Sequence, residues 1–357
     1  MRMLIATGGT GGHIYPALAL ADAAKERYED IEILFVGNDD RMEASEVPAH
    51  GYAFKGLHAC GLTGSVIHKA KALLLMGNAY RKALRIVEEF KPDIAIGFGG
   101  YVSAPVMLAA HTKHVPTLIH EQNSIVGVSN KMVAKYMDGI VICYEKCFEE
   151  FGREKTRLLG NPRATNAVHA KFDKEYYLSL GLSLDKPLIL VVMGSLGSTS
   201  INEIMKDVLP KIDSRYQILF VTGKNNYDEM RDAVHADHVK VVDYVRQLDI
   251  MEKVDLIICR AGATTAAEIT ALGTPSILIP SPYVAHNHQF YNASVLVDAK
   301  AAFMIEEKDL NAEVLAEKID RIMSNEKLRK TMKEHSLSLG KPKASEDILN
   351  WCDEMKR

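Results

Sequence analysis

The segment Thr7-Gly8-Gly9-Thr10-Gly11-Gly12-His13 concentrates the residue types best suited to chemistry in this chain. A short apolar strand over 3–6 runs into it, and a helix expected to begin near Pro16 runs out of it. Glycines let the backbone approach a ligand without interference from Cβ. The unpaired N–H groups and positive dipole end of the following helix point at the loop, so the turn suits an anion. His13 stands at the loop-to-helix junction, where that dipole disfavours imidazolium; a neutral imidazole is a competent general base. A histidine that only caps the helix or ties the loop is the structural alternative.

The pattern recurs. A third glycine-rich turn, Gly97-Phe98-Gly99-Gly100-Tyr101-Val102-Ser103, follows a strand over 94–96 and precedes a helix with Pro105 in its first turn. Half a chain later, a buried-strand run over 188–192 leads to Gly194-Ser195-Leu196-Gly197-Ser198 and a helical pattern over 201–209. Two such units imply two nucleotide-fold halves facing each other across a cleft, with the ligand between them. The first loop reads Gly8-Gly9-Thr10-Gly11-Gly12-His13 and not the G-x-G-x-x-G of a dinucleotide site, so phosphate binding is favoured and nicotinamide binding is not.

Cys259-Arg260-Ala261-Gly262-Ala263-Thr264-Thr265 also passes from a strand into a helix, and that helix carries Glu268. A carboxylate there can accept hydrogen bonds from two vicinal ribose hydroxyls. Its plain alternative is an acid that offsets the helix dipole. Asn287-His288-Gln289, after a loop over 280–285, brings polar groups toward the same strand ends. His111 with His114 and His286 with His288 lack nearby carboxylate or thiol ligands, and Asp39-Asp40 beside Arg41 reads as a loop, so no metal and no cofactor is expected.

These residues need a scaffold of parallel sheet. Continuous β-branched runs at 33–36, 117–119, 139–142, 218–221, 239–242, 256–259 and 276–279 alternate with helical patterns, which means strands covered on both faces by crossover helices. The turn-rich Gly160-Asn161-Pro162-Arg163 marks a domain boundary and a possible hinge. It gives domains over 1–160 and 161–340, with the C-terminal stretch 341–357 a candidate to pack back on the first domain.

With 357 residues and a formal charge of -3, the chain has room for two cores and lacks the basic excess of a nucleic-acid binder. Five scattered cysteines do not form a disulfide framework, and Cys143 and Cys147 lack the spacing of a redox pair. Met1-Arg2 leads at once into a core strand, which is not the pattern of a signal peptide, and no apolar run reaches the roughly 18 residues of a membrane span. The segment 67–90 is different. Leu73, Leu74, Leu75 and Met76 are consecutive and sweep most of a helix circumference, so part of this apolar surface should be exposed. Lys69, Lys71, Arg81, Lys82 and Arg85 flank it, the composition of a helix lying on anionic lipid.

Taken together, the 7–13 loop, Asp40-Arg41-Met42-Glu43, Gly99-Gly100-Tyr101-Val102-Ser103, His120-Glu121-Gln122-Asn123, Gly160-Asn161-Pro162 and the 260–268 helix start resemble, in this order, the MurG family of bacterial glycosyltransferases. The resemblance spans nearly the whole chain. It implies a GT-B fold of two Rossmann-like domains and transfer of N-acetylglucosamine from UDP-N-acetylglucosamine to the C4 hydroxyl of the muramoyl sugar of lipid I. It also implies an acceptor- and membrane-associating N-terminal domain, a UDP-sugar-binding C-terminal domain, and a peripheral place on the cytoplasmic face of the cell membrane.

Position by position, the resemblance implies that Thr10, Gly11 and Gly12 approach the donor diphosphate, and that Asn123 and Arg163 touch the donor. Ser195 holds phosphate, Val245 contacts uracil, Ala263, Thr264 and Thr265 bind the diphosphate, Glu268 the ribose and Gln289 the sugar. The loop of Gly99, Gly100, Tyr101 and Ser103 falls to the acceptor, and His13 and Glu121 are the candidate bases. This chain reads Met193-Gly194-Ser195-Leu196-Gly197-Ser198 where many relatives have Gly-Gly-Ser-Gln-Gly-Ala, and Arg163 follows Pro162 directly. The rival readings are a UDP-sugar 2-epimerase of the same architecture, which needs no lipid acceptor, and a nucleotide-sugar binding module without turnover.

Overall fold

Alternation of buried side chains between two faces builds both sheets. A computed structural model describes residues 1–61, 66–194 and 197–356, with 66–71 described by backbone alone. The chain divides into one unit of Met1–Thr165 with Lys343–Arg357 and another of Asn166–Pro342.

In the first unit, β1 (Arg2–Ala6), β2 (Glu32–Asn38), β3 (Ala53–Leu57), β4 (Ile94–Gly97), β5 (Thr117–Glu121), β6 (Gly139–Ile142) and β7 (Thr156–Leu158) form a parallel sheet in the order β3-β2-β1-β4-β5-β6-β7. Met3 pairs with Ile33 on one side and Ile94 on the other. Successive residues of β1 serve opposite faces. Met3 and Ile5 enter one apolar cluster while Leu4 and Ala6 enter the other. Each such side chain contributes about 1.5–3 kcal/mol on full burial.

The second unit repeats the plan with β8 (Leu188–Val192), β9 (Gln217–Val221), β10 (Val239–Val242), β11 (Val254–Cys259), β12 (Ser276–Leu278) and β13 (Ala302–Met304), ordered β10-β9-β8-β11-β12-β13 and parallel throughout. Ile189 and Val191 face one cluster, Leu188, Leu190 and Val192 the other. Three strands escape the sequence reading: β3, β7 and β13. All three are outermost in their sheets. An edge strand has one neighbour and need not be continuously apolar, and β3 indeed exposes Ala53, Lys55 and Gly56.

The first helix also starts earlier than expected, at Gly11 rather than near Pro16, and runs to Arg27 with Thr10 as its N-cap. Gly11 and Gly12 look like loop residues by composition, yet both are helical. The helix Ala344–Met355 packs within the first unit, where Ile348, Leu349, Trp351 and Cys352 join the cluster of Met3 and Ile5. Gly139 makes room for the indole: a Cβ there would lie 2.6 Å from the ring of Trp351. Arg27 and Tyr28 anchor the same helix through Asp353, at 2.7 and 2.8 Å.

Candidate functional site

In the first unit the strand order reverses between β1 and β4, the position where open α/β sheets hold ligands. The two loops leaving these strands are in contact. Gly100 has φ +86°, and a Cβ there would stand 2.3 Å from the carbonyl oxygen of Gly8, so this approach admits only glycine. Gly99, at φ +95°, lies under the His13 ring. His13 Nδ1 is 3.0 Å from the Gly8 carbonyl oxygen and 3.4 Å from Thr10 Oγ1. A carbonyl only accepts, so Nδ1 donates and the neutral ring carries its lone pair on Nε2.

A buried carboxylate sets the first loop. Glu43, with no exposed surface, accepts from the backbone N–H of Gly9 at 3.0 Å and of Asn38 at 2.9 Å. Its side chain fills the space that Cβ atoms on Gly8 and Gly37 would occupy. Asn38 continues the network by accepting from the Ala59 N–H at 3.0 Å.

The next strand end belongs to β5. Glu121 is buried and accepts from the backbone N–H groups of Asn123 (3.1 Å) and Gly127 (2.9 Å) and from the Asn130 amide (2.9 Å). Burial raises its pKa, opposed by these hydrogen bonds. This carboxylate holds the 122–130 segment in shape. Cys147 Sγ donates to the Asn123 carbonyl at 3.3 Å, and Gln122 donates to the Phe98 carbonyl at 2.7 Å. His120, stacked on Phe98, donates from Nε2 to the Gly160 carbonyl at 3.0 Å, and burial pushes its pKa down from 6.5 to about 4.

Within the 99–103 loop the residues divide. Tyr101 is half exposed and rests against Gly61, whereas Ser103 is buried with its hydroxyl against Gly97. Arg163 begins within the helix Pro162–His169, its N–H held by the Asn161 side chain at 3.0 Å.

In the second unit the order reverses between β8 and β11. Ser195 and Leu196, in the loop after β8, lie outside the described residues. Gly197, at φ +72°, packs on the Thr222 carbonyl. The loop after β11 ends at Gly262, the N-cap of the helix Ala263–Leu272. Ala263, Thr264 and Thr265 therefore supply first-turn N–H groups, which have no intrahelical acceptor. The Thr264 hydroxyl is buried without a partner.

Glu268 is the sixth residue of that helix, beyond the first turn where dipole compensation acts, so the plain alternative does not account for it. It is buried and accepts from Gln247 Nε2 at 3.2 Å. Gln247 shares a loop with Val245, which is buried too. Gln289, near the start of the helix His288–Asp298, accepts from the Ser281 N–H at 2.9 Å. His286 and Asn287 just before it take left-handed backbone angles, φ 54° and 51°. Arg260 pairs with Glu307 at 2.7 Å and donates to Ser198 Oγ at 2.9 Å, and Ser200 Oγ donates to Glu307 at 2.7 Å.

The sequence reading thus gathers Thr10, Gly11, Gly12, His13, Gly99 and Gly100 at one strand-end site, with Glu121 and Asn123 at the neighbouring strand end. It gathers Val245, Ala263, Thr264, Thr265 and Glu268 at the other. It gave no role to Glu43 or Arg260, which lay inside quoted motifs, or to Gln247 and Glu307, which have no local signature. Of the metal-type candidates, Asp39 and Asp40 lie on the open surface, where His58, which the sequence reading did not name, brings a ligand atom within 4.8 Å of theirs. His111 instead packs its ring 5.8 Å from that of Tyr136.

Two Rossmann-like units with parallel sheets and glycine loops at both switch points define the GT-B architecture. The chain matches the glycosyltransferase family 28 N-terminal domain over residues 3–142 and the family 28 C-terminal domain over 188–348. A UDP-N-acetylglucosamine--N-acetylmuramyl-(pentapeptide) pyrophosphoryl-undecaprenol N-acetylglucosamine transferase from Limosilactobacillus reuteri is 42% identical over 359 residues, covering 98% of this chain and 97% of that one. The crystal structure of Acinetobacter baumannii MurG superposes with a TM-score of 0.79 at 24% identity, covering 99% of both chains. A UDP-N-acetylglucosamine 2-epimerase from Neisseria meningitidis reaches a TM-score of 0.67 at 13% identity over 99% of this chain and 100% of that one, a likeness of fold alone. The chain belongs to the family of UDP-N-acetylglucosamine--N-acetylmuramyl-(pentapeptide) pyrophosphoryl-undecaprenol N-acetylglucosamine transferases, the MurG family.

Proposed function

We propose that this chain is an inverting glycosyltransferase that moves N-acetylglucosamine from UDP-N-acetylglucosamine to the C4 hydroxyl of the muramoyl sugar of lipid I, giving lipid II. The observation that carries this is end-to-end identity of 42% with a transferase of that name. The epimerase reading rests on shared fold at 13% identity.

In this reaction the muramoyl O4 attacks C1 of the donor sugar from the face opposite the leaving group, the bond from C1 to the diphosphate oxygen breaks, and UDP departs. His13 Nε2 takes the hydroxyl proton, while Nδ1 holds the ring by donating to the Gly8 carbonyl. Thr10, Gly11 and Gly12 bind the diphosphate, as do Ala263, Thr264 and Thr265, through backbone N–H groups that stabilise its growing charge, and Ser195, outside the described residues, is assigned to phosphate by the family resemblance. Glu268 takes the ribose hydroxyls, Val245 the uracil, and Gln289 with Asn123 and Arg163 the sugar and its phosphate. Glu121 acts here by shaping the Asn123 loop. Gly99, Gly100 and Tyr101 border the acceptor, with Ser103 supporting the loop from within.

The acceptor's lipid brings the first unit to the cytoplasmic face of the membrane as a peripheral protein. Among the described residues no helix is long and apolar enough to cross a membrane. On the helix Val66–Phe90, Leu73 and Leu74 are 61% and 76% exposed, and the same face continues through Gly77, Asn78, Arg81, Lys82 and Arg85 before it ends on the acids Glu88 and Glu89. Apolar residues at one end and three cations within the following turns suit an anionic bilayer surface. The side chains of Lys69 and Lys71 lie outside the described residues. Beside this helix an apolar cavity of about 350 Å³ is lined by Met76, Tyr80, Pro105, Leu108, Met132 and Tyr136.

The test is incubation with UDP-N-acetylglucosamine, with and without lipid-linked muramoyl-pentapeptide. Acceptor-dependent release of UDP together with a disaccharide-lipid product is expected. Formation of UDP-N-acetylmannosamine without acceptor would replace this reading by the epimerase one.

A further inference from the structure

Glu268 is a carboxylate only 4% exposed, held on a rigid helix and away from its N-terminal turn. Burying such a group requires hydrogen-bond donors around it. One donor is Gln247, whose Nε2 stands 3.2 Å from Glu268 Oε2; the carboxylate only accepts, which fixes the amide with its nitrogen inward.

The loop carrying Gln247 is itself pinned from outside. Arg246, one residue earlier, donates its backbone N–H to the Tyr176 hydroxyl at 2.9 Å. Its guanidinium meets Asp173 at 2.9 Å and Asp249 at 3.1 Å and lies 3.9 Å over the Tyr176 ring. The Asp173 N–H donates to the Asp249 carbonyl at 2.9 Å, closing the circuit. A long amide side chain on a loose loop would orient nothing. Here the loop is fixed, the turn Gln247–Asp249 begins at the amide, and Val245 is buried two residues before it.

We infer that Gln247 is the positioning residue for Glu268: by fixing one carboxylate oxygen it aims the group at both vicinal hydroxyls of a ribonucleoside diphosphate and makes the site select ribose over deoxyribose. This rests on the reading of Glu268 as the ribose carboxylate. A site built to pair with a hydroxyl discriminates strongly against the analogue lacking it, because its own buried polar group is then left unmatched. That discrimination requires a carboxylate that does not rotate toward whatever hydroxyl remains.

Calorimetric titration with UDP and with 2′-deoxy-UDP reads this out. The unsubstituted protein is expected to prefer UDP by at least tenfold. In Gln247→Met, of similar length but without a donor, the preference should fall below threefold through loss of UDP affinity, with 2′-deoxy-UDP binding unchanged. Gln247→Lys, which again places a donor near the carboxylate, should restore most of it. Equal weakening toward both ligands, or a preference kept in Gln247→Met while Glu268→Ala abolishes it, overturns the positioning role. A preference that survives Glu268→Ala overturns the ribose assignment itself.

Discussion

Replacing Glu43 tests whether a buried carboxylate holds the first glycine loop in its working shape. Its two oxygens accept from the Gly9 and Asn38 N–H groups at 3.0 and 2.9 Å, and the residue has no exposed surface. Hydrogen bonds to a charged group contribute about 1.5–3 kcal/mol each, and a buried N–H stripped of its acceptor carries its full desolvation cost. Glu43→Ala removes both acceptors and should lower the stability of the first unit by about 4 kcal/mol. Glu43→Gln keeps the shape but turns one acceptor into a donor facing an N–H, for a loss of about 2–3 kcal/mol. The chain has a single tryptophan, Trp351, and it is buried in this unit, so its fluorescence in urea follows the unit directly. With a slope of about 2 kcal/mol per molar, the midpoint of Glu43→Gln should fall by roughly 1 M. Transfer should fall by about tenfold or more in the same variant, because Gly8 and Gly9 set the carbonyl that orients His13. A Gln variant that unfolds at the unsubstituted midpoint and transfers at the unsubstituted rate would refute the reasoning.

His13→Ala should lower turnover by about 10²-fold or more and leave UDP binding nearly intact, since a base acts on the acceptor; matched losses in both, measured by steady-state kinetics and calorimetry, would make it a loop-ordering residue. His120 should impose an acid limit on the first unit: its folded pKa of about 4 lies below the unfolded value of 6.5, so its contribution is intact above pH 6.5 and is lost as pH falls toward 4. The difference in urea stability between unsubstituted protein and His120→Gln should change by about 3 kcal/mol across that window, and parallel pH profiles would contradict the assignment. Replacing the exposed Leu73 and Leu74 with Glu should reduce sedimentation with anionic vesicles while sparing activity on a water-soluble acceptor analogue; undiminished sedimentation would move the docking surface elsewhere.

Strands built from β-branched runs were the legible ones, including β10 although it is outermost in its sheet. β6, β8 and β10 stand where their apolar runs predict, and the central strands differ by a residue or two at their ends. The other edge strands, β3, β7 and β13, were not legible: with one neighbour they need less apolar surface, and Ala53–Leu57, Thr156–Leu158 and Ala302–Met304 hold a single β-branched residue among them. In the candidate site, the glycine loops announced themselves by composition, His13 by its place at a loop-to-helix junction, and Glu268 as the acid on the helix that follows the turn over 260–262. Glu43 and Gln247 could not be assigned this way. Each acts on a partner that the fold brings near, Glu43 on Gly9 and Gln247 on Glu268, and local spacing holds no record of a contact made 34 or 21 residues away. Pro16 misled for a different reason: proline is commonest in a helix's first turn, and here it sits a turn further in because two glycines ahead of it are helical.

The helix Ala344–Met355 completes a core whose other walls are laid down at the very start of the chain, next to Met3 and Ile5. During synthesis the first unit therefore waits through the whole of Asn166–Pro342 before Trp351 and Leu349 arrive to cover it. The order of completion is the reverse of the order of emergence: the second unit, made later, has all of its segments in hand first. A chain cut short at residue 342 and released would hold one unit with all of its segments and one with an open apolar face, the state most exposed to aggregation and to chaperone capture.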